Sequence, residues 1–320
     1  MEKALSFEKP IQTLQIQLNQ LQLQSHQENT KVDQHIKCIE EAITEEKKRI
    51  FNNLTPWQIV ELARHPHRPQ TLDIIDKLVT QFTPLKGDRH GSECPATIGG
   101  MGYISGRPCM IIGQQKGRTT EERIMHNFGM AQPEGYRKAL RLMKLAEKFN
   151  LPVVTLIDTP GAYPGIAAEM NNQSEAIARN LFEMAQLKTP LISIVIGEGM
   201  SGGALALGMG DINLMCQYAI YSVISPEGCA SILWKDSQKK ELAAKAMQLT
   251  APDLYQHNLI DGIIEEPLGG GHYDPNAMVL RIQEAIVGHL DQLNQQPRQK
   301  LVANRRQKYR MLTQTQHECA

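Results

Sequence analysis

Two apolar runs, Val153-Val154-Thr155-Leu156-Ile157 and Leu191-Ile192-Ser193-Ile194-Val195-Ile196, each lead straight into a glycine-rich turn. A strand that is apolar at every position, rather than at every second one, has both faces covered, and that is the signature of a parallel sheet under helices. Between the runs the period changes. Pro133-Glu134 opens a helical stripe through Tyr136, Leu140, Met143 and Phe149, and Ser174-Glu175 opens another through Ile177, Leu181, Met184 and Ala185. This alternation predicts the α/β class with a largely parallel sheet. Upstream, Ile98–Ile104 and Pro108–Ile112 read as a hairpin around Ser105-Gly106-Arg107.

In open α/β sheets ligands collect at the carboxyl ends of the strands, so the two turns are the places to look for chemistry. The first is Asp158-Thr159-Pro160-Gly161-Ala162-Tyr163-Pro164-Gly165. The second is Gly197-Glu198-Gly199-Met200-Ser201-Gly202-Gly203-Ala204, running into Leu205-Ala206-Leu207-Gly208. That last segment is apolar on all sides and is expected to be a buried helix. Its first N–H groups would lack intrahelical partners beside residues without bulky side chains, the makings of an oxyanion or anion site.

Several readings fit these residues taken alone. Gly199-Met200-Ser201-Gly202-Gly203 has the G-x-S-x-G form of a nucleophile elbow, with His257, His272 and His289 as possible bases, none of them in a distinctive motif. Asp158-Thr159-Pro160-Gly161 has the form of a magnesium loop. However, Gly113-Gln114-Gln115-Lys116-Gly117-Arg118 has the wrong spacing for a P-loop, which excludes a nucleotide hydrolase. Gly202 and Gly203 could instead donate backbone amides to an oxyanion, or the glycines could simply allow tight packing.

Composition narrows the classes. With 34 Lys+Arg against 34 Asp+Glu, the chain carries no net field to gather nucleic acid or an acidic membrane. The basic stretch Arg298, Lys300, Arg305, Arg306, Lys308, Arg310 reads as a solvated helix face or a subunit contact. Six scattered cysteines (Cys38, Cys94, Cys109, Cys216, Cys229, Cys319) without a C-x-x-C pair argue against a disulfide framework and against a cysteine zinc site, so no metal is expected in this chain. No signal-like apolar core begins the sequence and no run approaches the roughly 18 residues of a membrane span, which points to the cytoplasm.

The first fifty residues form a separate region. Ile11, Leu14, Leu18 and Leu21, then Val32, Ile36, Ile39, Ile43 and Ile50, recur at helical spacing and predict a two-helix arm whose stripe packs on the body or on a partner. Thr55-Pro56 caps the next helix. His65-Pro66-His67-Arg68-Pro69 ends it and reads as a structured turn rather than a metal site.

Taken together, Asp158–Gly165, Gly197–Gly208 and Tyr221-Ser222-Val223-Ile224-Ser225-Pro226-Glu227-Gly228-Cys229-Ala230-Ser231-Ile232-Leu233-Trp234 resemble the α-subunit family of bacterial acetyl-coenzyme A carboxylase carboxyltransferases. Gly113–Arg118, Asn127-Phe128-Gly129-Met130, Pro133–Arg141 and Pro267-Leu268-Gly269-Gly270 add to the likeness, which runs from the arm to about Leu290. The resemblance implies a crotonase-like spiral of ββα units with two roughly perpendicular sheets. It divides the chain into an arm (1–52), a carboxyltransferase domain (53–294) and a basic C-terminal helix or tail (295–320).

It further implies that the carboxyl group of carboxybiotin, delivered on a biotin carboxyl carrier protein after a biotin carboxylase has acted, passes to acetyl-coenzyme A to give malonyl-coenzyme A for fatty-acid synthesis. A zinc-ribbon β subunit of the same fold, in an α2β2 assembly, would supply most of the coenzyme A site. Negative charge appears on the biotin ureido oxygen and on the thioester oxygen. By the resemblance Gly202 and Gly203 hold the first, a glycine pair on the β subunit holds the second, and the biotin nitrogen takes the substrate proton. Gly161, Ala162, Tyr163, Pro164, Gly165, Glu169, Gly199, Ser201 and Ala204 are the further substrate-binding candidates. Ser201 becomes a turn residue and Asp158 a loop organiser.

The chain departs from the family pattern at Met200, where glycine is usual, and at Ala168-Glu169-Met170-Asn171-Asn172-Gln173-Ser174, where a more charged, glycine-containing segment is usual. A crotonase-type enoyl-coenzyme A hydratase or isomerase and a serine hydrolase are the rival enzymes.

Overall fold

The computed structural model describes residues 5–24 and 30–312. The readings of residues 1–4, of the Val32 side chain, of Cys319 and of the tail beyond Leu312 lie outside the described residues. Helices α1 (Lys9–Gln24) and α2 (Thr30–Phe51) form the arm. Its stripe packs on the body: Ile11, Leu18, Ile43 and Ile50 share a buried cluster with Leu62 and Tyr218. A buried pair fixes the same contact, with His272 Nε2 2.8 Å from Glu8 Oε1.

Helix α3 (Pro56–Ala63) starts where the Thr55-Pro56 signal places it, with the Thr55 hydroxyl accepting from the Gln58 amide. After α4 (Thr71–Leu78) come β1 (Val79–Pro84), β2 (Thr97–Ile104) and β3 (Arg107–Gln114), paired antiparallel in order. Ser105 and Gly106 both have positive φ (48° and 74°), as a two-residue turn matching the strand twist requires. The parallel part follows: α5 (Thr120–Met125), α6 (Pro133–Phe149), β4 (Val153–Thr159), α7 (Ile166–Met170), α8 (Gln173–Met184), β5 (Leu191–Met200), α9 (Ser201–Leu205), β6 (Ile212–Cys216) and β7 (Ile220–Ser222). Then come α10 (Pro226–Trp234), α11 (Lys240–Met247), α12 (Ala251–Gln256), β8 (Gly262–Ile264), α13 (Pro275–Asn294) and α14 (Arg298–Met311).

The eight strands among the described residues join one sheet in the order β1-β2-β3-β4-β5-β6-β8, with β7 branching from β5. Every residue of β4 and β5 is buried, as the unbroken apolar runs require. Each fully buried aliphatic side chain contributes about 1.5–3 kcal/mol, and the aliphatic residues of both strands lie in the main core cluster.

The structure corrects four expectations. The two roughly perpendicular sheets that the resemblance implies are one branched sheet. Gly197–Met200 is not a turn but the end of β5: Glu198, Gly199 and Met200 pair with Ile220, Tyr221 and Ser222 of β7. The buried helix expected over Leu205–Gly208 is instead the five-residue α9, which begins at Ser201 and ends at an exposed Leu205, and Ala206–Gly208 turn back toward β6. And α14 is not simply a solvated face. Arg305 is 1% exposed, with Asp211 and the carbonyls of Met184, Leu187 and Thr189 taking its N–H groups.

Candidate active site

The two turns meet at the carboxyl ends of β4 and β5. Met200 is still extended (φ −111°, ψ 132°), whereas Ser201 turns to φ 54°, a left-handed conformation that swings the chain from strand into α9. Gly202 and Gly203 therefore fall in the first turn of the helix, where α9 itself offers their N–H groups no acceptor. A Cβ on Gly203 would lie 2.6 Å from the Gly161 carbonyl carbon and 2.7 Å from the Ala162 nitrogen. Only glycine lets the turns come this close. Gly202 is half-buried, and a Cβ there would meet only Ile177, at 3.6 Å.

The first turn has its own scaffold. Gly161 holds φ 141° and a Cβ on it would meet nothing within 4 Å, so it borders open space. The Thr159 hydroxyl donates to the Gly161 carbonyl (2.7 Å) and accepts from its N–H (3.1 Å). Tyr163 lays its ring over Gly165, and Gln173 bridges the carbonyls of Ala131 and Tyr163 at 2.9 and 3.1 Å. Gly161, Ala162, Tyr163, Ser201 and Gly202 are thus gathered in one region, with Gly203 buried just behind. Pro164 and Glu169 are exposed beyond it. Gly199 and Ala204 are buried at its back, Gly199 under the Tyr221 ring.

Behind the turns lies an ionic frame that the sequence did not single out. Lys116 Nζ is 2.6 Å from Asp158 Oδ1 and 2.7 Å from Glu198 Oε2. Arg64 joins Glu198 to Glu227, both at 2.6 Å, and Asp158 Oδ1 accepts the Glu198 N–H at 2.9 Å. Lys116, Asp158, Glu198 and Arg64 border a cavity of about 250 Å³ together with His65, Arg123 and Phe128. Burial pushes the Glu198 carboxyl up, but Lys116 and Arg64 outweigh it and hold the group down at about 2. Asp158 is ion-paired with Lys116. Burial raises its carboxyl above the ordinary range, and the charge of Glu198 adds to the rise. The one sequence signal for this frame was position: Lys116 follows the buried strand β3 at the edge where the turns gather.

The serine-hydrolase chemistry is not assembled among the described residues. Among the described residues the Ser201 hydroxyl has no hydrogen-bond partner, although its backbone has the elbow shape. His257 pairs with Gln248, His272 with Glu8, and His289 sits on α13. His65 stacks on His272 with ring centroids 4.2 Å apart, and burial followed by His272 drives it down to about 3. The His65–Pro69 segment is a turn. Its Nδ1 accepts the His67 N–H, so the neutral ring carries its proton on Nε2.

Comparison with known proteins gives the class first. The fold is that of the crotonase-like carboxyltransferases: transcarboxylase 12S, solved with methylmalonyl-coenzyme A and methylmalonic acid, superposes with a TM-score of 0.59 at 18% identity, over 73% of this chain and 44% of that one. The geranyl-CoA carboxylase β subunit of P. aeruginosa gives 0.55 at 17%, over 79% and 45%. The family follows from sequence. Residues 4–313 match the family described as acetyl co-enzyme A carboxylase carboxyltransferase-like. The acetyl-coenzyme A carboxylase carboxyl transferase subunit alpha of Coxiella burnetii is 58% identical over 90% of this chain and 92% of the relative. Its counterpart in Legionella pneumophila is 51% identical over 95% and 96%. The chain belongs to this carboxyltransferase family, and the enzyme class is transferase.

Proposed function

We propose that this chain holds the carboxylated biotin of a carrier protein and passes its carboxyl group to acetyl-coenzyme A, using the amides of Gly202 and Gly203. The observation that carries the reading is the contact of the two turns at Gly203 and Gly161, which leaves helix-initial N–H groups beside open space bordered by glycine. The residues present suit a ureido ring. Gly161 and Gly202 add no side chain, and Ala162 and Tyr163 are half-buried around them.

When bound, carboxybiotin supplies the transferable carboxyl group and a nitrogen able to take the substrate proton. The chain's own part is electrostatic: two fixed N–H dipoles face the oxygen on which charge develops, and each such donor is worth roughly 2.7–4 kcal/mol in the transition state. The Gly203 contact fixes the donors before the reaction begins. Ser201 provides the left-handed turn, and Asp158 anchors the Glu198 amide, so neither acts as a nucleophile.

The thioester end needs a second oxyanion site, which a β subunit of the same fold carrying zinc would supply. Exposed apolar side chains flank the turns: Ile166 and Met170 on α7, and Val223, Ile232 and Leu233 on and before α10, each at least 64% exposed. Exposed apolar side chains at these positions suit a subunit contact. No helix among the described residues is long and apolar enough to cross a membrane; a cytoplasmic location and an α2β2 assembly complete the proposal.

The test reconstitutes the chain with its zinc-bearing partner and measures malonyl-coenzyme A formation. Ser201→Ala is expected to keep near-wild-type activity. Gly202→Val, whose Cβ meets only Ile177, should fold and lose it. Inactive Ser201→Ala with intact folding would return the serine nucleophile.

A further inference from the structure

We infer that Gln114 is a positioning residue for carboxyl transfer, clasping the two glycine-rich turns to each other from the end of β3. This rests on the amide-donor reading of Gly202 and Gly203.

In α9 the Ala206 amide donates to Gly202 O (3.0 Å) and the Leu207 amide to Ala204 O (3.1 Å). The helix is too short to give the carbonyl between them, that of Gly203, a regular partner. Gly203 is buried, and an unpaired buried carbonyl is costly. The partner it has is the Gln114 side chain, whose Nε2–H donates to it at 2.8 Å. The same amide group reaches the other turn: Gln114 Oε1 accepts the Asp158 N–H at 3.2 Å.

One side chain therefore donates to the second turn and accepts from the strand end that opens the first. It is itself immobile. Gln114 is 0% exposed, its backbone lies opposite Thr97 in the β2–β3 ladder, and its carbonyl accepts the Thr71 hydroxyl at 2.6 Å. Lys116, two residues on, pairs with Asp158 and Glu198, so charge secures the strand ends while Gln114 sets the turn carrying the donors. Holding the Gly203 carbonyl fixes the orientation of the peptide after it, and with it the helix start. Gln114 touches no reacting atom. Its effect should appear in turnover rather than in acetyl-coenzyme A binding.

The test compares three variants in the reconstituted enzyme. Gln114→Met keeps the volume but removes both bonds, and kcat is expected to fall about tenfold or more with the acetyl-coenzyme A KM within about twofold. Gln114→Glu can still accept from Asp158 N–H, but as a carboxylate it faces the Gly203 carbonyl without a proton. Its activity relative to wild type should rise as pH is lowered and protonation restores the donor, a response that mere loss of packing would not give. Retention of kcat within about twofold in Gln114→Met overturns the inference, as does a pH-independent ratio for Gln114→Glu alongside an inactive Gln114→Met. Gly202→Val separates the two ideas. If it remains active the amide-donor reading fails; if it is dead while Gln114→Met is unimpaired, only the role of Gln114 fails.

Discussion

Gly203 packs on Gly161 so closely that a methyl group on the first would stand 2.6 Å from the carbonyl carbon of the second. Both partners are backbone, so neither can rotate away. Gly203→Ala is therefore expected to push the turns apart and lower malonyl-coenzyme A formation by about 10²-fold, the effect of a displacement near 1 Å at a reacting centre. Gly202→Ala, one residue earlier, meets only Ile177 at an ordinary 3.6 Å and should fold with wild-type stability. Melting curves and turnover measured on both variants check the contrast. Equal activity losses with unchanged melting would show that the Gly203 contact does not matter.

Much of this geometry was legible because parallel strands covered on both faces leave an unbroken apolar record, as Val153–Ile157 and Leu191–Ile196 do. The contact itself was not. Glycines at 197 and 199 read as a turn because glycine weakens a strand, yet β5 continues through them: β7 supplies its hydrogen bonds and Tyr221 packs where a Gly199 side chain would be. Gln114 was invisible for a different reason. Its partners lie 44 and 89 residues away, and a single glutamine carries no spacing pattern that periodicity can detect.

Lys116 is the cation shared by Asp158 and Glu198, whose side chains are only 6% and 7% exposed. Lys116→Met would fill the space but leave two carboxylates facing each other with only Arg64 beside Glu198. Removing one partner from a buried ionic group usually costs about 3–5 kcal/mol, and a loss of that size is expected in urea unfolding of the full chain. A change below about 1 kcal/mol would mean that water already screens the site.

The two carboxylates respond to acid with opposite signs. Glu198 is held at about 2 against an unfolded value of 4.5, so its contribution is present above 4.5 and is lost as pH falls toward 2. Asp158 is raised, so its contribution is present at low pH and is lost as pH rises through its folded value. The acid limb of the frame therefore belongs to Glu198. Urea midpoints of wild type and Glu198→Gln between pH 2 and 6 should converge as pH falls. Parallel curves would place the acid sensitivity elsewhere.

Arg305 was read as one charge among several on a basic helix, but its partners all lie in a distant part of the chain. Its guanidinium donates at 2.6 and 2.8 Å to both Asp211 oxygens and to three carbonyls at the end of α8 and in the loop before β5. Those carbonyls lie past the last helical amides and have few other donors, so α14 closes one end of the sheet. Lysine cannot reproduce this fork, because a single ammonium cannot span a bidentate carboxylate and three carbonyls. Arg305→Lys is expected to destabilise the fold nearly as much as Arg305→Ala, each by about 3–5 kcal/mol. Both should expose α14 to proteolysis and to fast amide exchange. Because the helix lies at the opposite ends of the strands from the turns, the folded fraction should keep its kcat; a lysine variant with wild-type stability would reduce Arg305 to a point charge.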